Sequence, residues 1–279
     1  NKASSPRAVT LNTNKGRLII NGVDESYTGN AFSSMISMFT DNGNYSSRFV
    51  LRWQSGYNTF GFVARSESGS GASVYFGGDA FTSSTGSWAG YISKWTIDGN
   101  GNIDGSNDHQ WSKFVNAGNT DQMRGIAVSP DNSYVYGVYR TYAGTGGGNR
   151  VGITKWASDG VLQWTRILSL TNGSTLGSPR IEVNSEGNIV VGSDHAYTSQ
   201  FGGYTQSIYM VYPPDGSITG TYGAFKIEDG SSYISVTAES PSHNAHNIGY
   251  GSSGFSHTNF LGTGGTTNRF TNETIESIE

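Results

Sequence analysis

The chain has 279 residues, of which 40 are glycine, 13% aromatic and only 14% charged. Abundant turn formers and flat side chains with few long charged ones favour short strands over amphipathic helices and exclude a disordered chain. A net charge of −4 with scattered basic residues argues against a nucleic-acid partner, zero cysteines exclude disulfides and thiolate chemistry, and no apolar run approaches the 18 residues of a spanning helix.

Taken in chain order, the elements repeat. VTLNTNKGRLIING (Val9 to Gly22) is an alternating strand, a polar turn and a second strand ending in glycine, which is a hairpin signature. ISMFTDNG (Ile36 to Gly43) follows as a strand closed by an Asp-containing turn. FVARSESGSGASVYFGG (Phe62 to Gly78) and ISKWTIDG (Ile92 to Gly99) are looser copies, followed by the strand HQWSKFV (His109 to Val115). The clearest unit is IAVSPDNSYVYG (Ile126 to Gly137), ITKWASDG (Ile153 to Gly160) and VLQWTRI (Val161 to Ile167). IEVNSEGNIVVG (Ile181 to Gly192) and MVYPPDG (Met210 to Gly216) repeat it, and ISVTAESPSHNAHNIGYG (Ile234 to Gly251) is a fifth hairpin with an extended turn. The closing glycines Gly22, Gly77, Gly137, Gly192 and Gly249 recur every 55 to 60 residues, as do Asp41, Asp98, Asp159 and Asp215.

Each repeat of roughly 57 residues therefore holds four short strands, and one such sheet alone cannot bury both of its faces. The expected fold is all-β: a β-propeller of about five four-stranded blades, either a complete ring or part of a larger one. One domain over 1–279 is expected, with blades at 9–58, 59–122, 123–177, 178–233 and 234–279. Phe39, Trp95, Trp156 and Tyr212 share one repeat position and are expected between blades. The chain starts with Asn and shows no signal-peptide pattern, so it is expected to be a processed product or a piece of something longer.

Candidate chemistry is sparse. Asp98, Asn100, Asn102 and Asp104 alternate in IDGNGNIDGSND and offer the one metal reading, a calcium loop. Against the EF-hand pattern the loop has Trp111 where a bidentate Glu belongs, or Ile103 where Gly belongs, so an Asx/Gly hairpin turn is preferred. No other cofactor is expected. The histidines His109, His195, His243, His246 and His257 are read as turn or surface residues, and Gly249 to Gly254 matches a dinucleotide fingerprint by letter alone. The segments Tyr139 to Asn149 and Tyr197 to Tyr204 set Tyr139, Tyr142, Tyr197 and Tyr204 among Gly, Ser, Thr and Gln, a composition suited to ligand-binding loops for sugars or proteins. Asn44, Asn172 and Asn272 head glycosylation-type triplets, expected by chance in so Asn/Ser/Thr-rich a chain.

The string GIAVSPDNSYVYG followed by ITKWASDGVLQWTRI resembles the bacterial β-propeller repeat family, well across Arg124 to Leu168, recognisably across Ser178 to Gly216, and only loosely before Asn58 and after Ile234. Such repeats occur in secreted bacterial proteins and in virion proteins of aquatic tailed phages. The resemblance implies a non-catalytic structural or adhesion protein of a phage particle, tail-associated, with other virion proteins or a host-surface glycan or protein as partners. A homo-oligomer, no membrane insertion, and a virion or extracellular location go with it. The alternative is a secreted or cell-surface bacterial propeller binding glycan or protein. A polysaccharide-active enzyme would need acids gathered from several blades in one pocket.

Overall fold

The turns punctuate the chain where the repeat places them, and the strands between them assemble into four antiparallel sheets in a propeller-like arrangement. The computed structural model describes residues 4–244 apart from the short segments 13–14, 29–30, 41–44, 53–58, 70, 83–86, 104–107, 118–119, 143–147, 200–201 and 239–241. The chain divides into two units, Asn1–His246 and Asn247–Glu279, and the second lies outside the described residues. Among the described residues no helix is long and apolar enough to cross a membrane.

The first sheet is formed by β1 (Ser4–Asn12), β2 (Arg17–Thr28), β3 (Ala31–Thr40) and β4 (Tyr45–Arg52). The second contains β5 (Thr59–Ser66), β6 (Ser73–Thr82), β7 (Ser87–Thr96) and β8 (His109–Asn116). The third contains β9 (Gln122–Val128), β10 (Tyr134–Thr141), β11 (Arg150–Ala157) and β12 (Leu162–Leu170). The fourth has three strands only, β13 (Leu176–Val183), β14 (Ile189–Ser199) and β15 (Gly202–Tyr212).

The expected fifth blade is not among the described residues, and the fourth lacks its outer strand. After β15 the chain doubles back along the outer edges of the earlier sheets. β16 (Gly220–Tyr222) and β17 (Phe225–Asp229) extend the third sheet from β12, β18 (Ser235–Ala238) extends the second from β8, and β19 (Ser242–Asn244) extends the first from β4. Among the described residues four sheets thus stand where the repeat suggested about five blades, and three edges that would otherwise expose unpaired backbone are covered. The described part of the 234–279 segment consists of the short edge strands β18 and β19.

Consecutive sheets pack face to face. Ile19, Ile36 and Met38 meet Val74, Phe76 and Trp95 between the first and second sheets. Tyr75 and Ile92 meet Ile126, Val135 and Trp156 between the second and third. Tyr136, Val138 and Ile153 meet Ile181, Ile189 and Tyr212 between the third and fourth. Trp95, Trp156 and Tyr212 are buried between sheets, as their shared repeat position predicts. Phe39, the first-sheet counterpart, is only half-buried, and among the described residues no sheet precedes the first. The first strand of each sheet carries a β-bulge near its start: at Arg7 in β1, Phe62 in β5, Arg124 in β9 and Ser178–Pro179 in β13. A bulge sharpens the local twist, which lets each inner strand turn onto the sheet before it.

Candidate functional site

The recurrent Asp turns build the joints between sheets. Asp159 Oδ1 accepts from the backbone of Val161 at 3.0 Å, and Asp215 Oδ1 from Ser217 at 3.0 Å. Each turn's carbonyls then receive a cation from the preceding sheet. Arg17 donates to the carbonyls of Asn100 and Gly101, both at 2.7 Å. Lys94 donates to Ser158 at 3.1 Å, and Lys155 to Pro214 at 2.8 Å. Gly160 and Gly216 close the last two turns at φ 87° and 71°, a left-handed conformation that favours glycine. The indoles of Trp111 and Trp164 lie where a Cβ on these glycines would sit.

The calcium-type loop is the same kind of joint. Asp98 Oδ1 accepts from the backbone of Asn100 at 2.8 Å and Asn102 at 2.7 Å, so it shapes the turn from inside. The guanidinium of Arg17 donates to the backbone carbonyls of this loop. Asp104 lies outside the described residues, and no cluster of three His, Asp or Glu side chains suited to a metal ion occurs among the described ones.

The four tyrosines proposed as a ligand surface separate. Tyr139 is completely buried in the packing between the second and third sheets, so it faces the interior and not a ligand. Tyr142 is 44% exposed, and its carbonyl accepts from Arg150 at 2.9 Å. Tyr197 and Tyr204 are cross-strand partners within the β14–β15 hairpin, which extends through what the sequence suggested was a loop; their side chains lie outside the description. His109 sits against Ser112 Oγ at 2.7 Å and the Trp95 ring at 4.9 Å, and His243 lies in β19. His246, His257, Asn44, Asn272 and the 249–254 motif lie outside the described residues. Asn172 Oδ1 caps its own turn by accepting from Ser174 at 3.0 Å.

Two features were missed by sequence reasoning. One is a cleft of about 210 Å³ between the fourth sheet and the β16–β17 hairpin, lined by apolar and aromatic side chains that include Ile208, Met210, Tyr222 and Phe225. Nothing in the repeat announces it, because it exists only where the outer strand of the fourth sheet has moved to the third. Tyr209 and Tyr222 line it as well, and are 78% and 52% exposed.

The other is a buried ion pair across the second and third sheets. Arg124 Nη1 donates to Asp79 Oδ2 at 3.3 Å, with Asp79 almost wholly buried. Burial pushes the Asp79 carboxyl up to about 7, against the opposing pull of Arg124. Burial likewise pushes Asp121 up to about 6, although it accepts from Thr141 and from the Ala117 backbone. Asp79 Oδ1, Asp121 Oδ1 and the Tyr139 hydroxyl have no protein partner. These groups lie inside sheet junctions and do not line the apolar cleft.

No protein-family model matches the chain, and no curated protein matches it. Among solved structures it is similar to the tail fiber of Staphylococcus aureus phage P68, with 10% identity and a TM-score of 0.29 over 75% of this chain, a likeness too remote to assign a fold or an activity. The chain spans about half of that protein, 50% of its length.

Proposed function

We propose that the chain is a non-catalytic structural and adhesion protein of a phage particle, associated with the tail, whose sheets hold loops rigid against neighbouring subunits or a host surface. The observation that carries the reading is the way the sheets are locked together. Cations from one sheet clasp the turn of the next, and the returning strands cover three sheet edges. That is the build of a stiff support. The particle itself is suggested by the resemblance of the Arg124 to Leu168 repeat. Density-gradient sedimentation of intact particles tests it: the protein co-sediments in fixed stoichiometry if the reading holds, and its absence from purified particles overturns it.

The aromatic cleft favours a second reading, a secreted or cell-surface protein that binds a glycan. Rings at the mouth of an apolar cleft suit a sugar face. Binding to a glycan array that is lost in Tyr222→Ala, from a protein found free of particles, is the result this reading expects.

A further inference from the structure

The same junction is built three times inside this molecule, and its two halves are left over at the ends. On the side of each sheet that faces the next one, Ile36, Ile92 and Ile153 hold one repeat position and are buried. Ile19, Tyr75 and Tyr136 hold a second and are buried too. In the fourth sheet these positions are Tyr209 and Val190, paired in register through Gly192 and Val211. Tyr209 is 78% and Val211 65% exposed, and among the described residues no fifth sheet follows.

The other end is the mirror case. On the side that faces the preceding sheet, Ile126 and Ile181 are buried. Their first-sheet counterpart Val9 is 59% exposed, and Leu11, two residues on along the same face, is 51% exposed. Half-buried Phe39, the counterpart of the buried Trp95, Trp156 and Tyr212, lies on this face as well. Among the described residues the first and fourth sheets make no packing comparable to that of consecutive sheets.

The two leftover faces differ from one another, so they suit a head-to-tail contact and not a two-fold one.

We propose that a second copy of this chain occupies this face: the Tyr209–Val211 side of the fourth sheet packs on the Val9–Leu11 side of the first sheet of the next copy, continuing the stack. It rests on the sheet faces alone and stands whether or not the protein belongs to a particle. A single exposed strand face of Tyr and Val is tolerable on a monomer, but two faces whose apolar positions match those of a buried junction mark an interface.

The test uses the full-length protein in analytical ultracentrifugation. The wild type is expected to associate with rising concentration beyond a dimer. Val9→Asp and Val211→Asp are both at exposed positions and are expected to fold, which the far-ultraviolet spectrum and melting temperature verify. Each alone is expected to be monomeric. Mixed one to one, they are expected to form a heterodimer and stop there, since each supplies the intact half that the other lacks. A wild type that stays monomeric at about 100 μM, two orders above a micromolar dissociation constant, overturns the proposal. So does a mixture of the two variants that stays monomeric while the wild type associates, because the contact would then lie elsewhere.

Discussion

At the scale of single residues, the turn glycines show how the repeat is enforced. Gly160 and Gly173 have similar dihedrals, φ 87° and 74°, but Trp111 covers the first and nothing lies near the second. Gly173→Ala is expected to cost about 1 kcal/mol, the conformational penalty alone. Gly160→Ala adds displacement of the Trp111 ring and is expected to cost about 2–4 kcal/mol in urea unfolding. Equal losses at the two positions would refute the joint between Trp111 and the turn. Buried carboxyls make a second prediction at this scale. Asp79 and Asp121 have folded-state values near 7 and 6, raised from an ordinary 3.8 by burial. Between about pH 4 and 7 the folded chain holds more protons than the unfolded one, so stability is fully present below that window and is lost as pH rises through it. The melting temperature is expected to rise on acidification from pH 8 to pH 5, and the paired substitutions Asp79→Asn and Asp121→Asn to flatten that slope. A melting temperature that falls over the same interval would contradict the burial of these groups.

At the scale of elements, the hairpins, the Asp turns and the inter-sheet position of Trp95, Trp156 and Tyr212 were legible in the sequence, because each depends on local pattern. Partner choice was not. The segment after Asp215–Gly216 reads as the fourth strand of the fourth sheet, yet β16 and β17 pair with the third, and alternation along a strand says nothing about which edge it will meet. Letter matching also misaligned two of the closing glycines, Gly22 and Gly137. Gly137 and Gly192 end similar twelve-residue strings, but six residues separate Val128 from its partner Val135 and five separate Val183 from Ile189. Val138, paired with Ile153, is therefore the true counterpart of Gly192, paired with Tyr209. Tyr139 was misplaced for a related reason: a Tyr in a Gly-rich stretch looks loop-borne, whereas Tyr139 is the inward residue of a strand end. Two measurements address this scale. Trp156→Ala is expected to lose about 3–5 kcal/mol, as for a large aromatic removed from a core, and Phe39→Ala clearly less. Amides of β15, whose outer edge has no neighbouring strand among the described residues, are expected to exchange faster than those of β11, flanked by β10 and β12. Protection of β15 equal to β11 in the isolated monomer would mean that its edge is covered.

At the scale of the whole molecule, the repeat explains both the stiffness and the unfinished ends. Three junctions are buried inside the chain, three edges are sealed by the returning strands, and one junction is left as two exposed halves. A support for loops has use for such ends, since copies stacked through them extend one continuous set of sheets. The absence of native cysteine allows a direct test, because an introduced pair has no competing thiol. In the Val9→Cys, Val211→Cys double variant, treatment with a short bis-maleimide is expected to give a ladder of covalent dimers, trimers and longer species on a denaturing gel. A product that runs only as a monomer, bridged within itself or not bridged at all, would contradict the account.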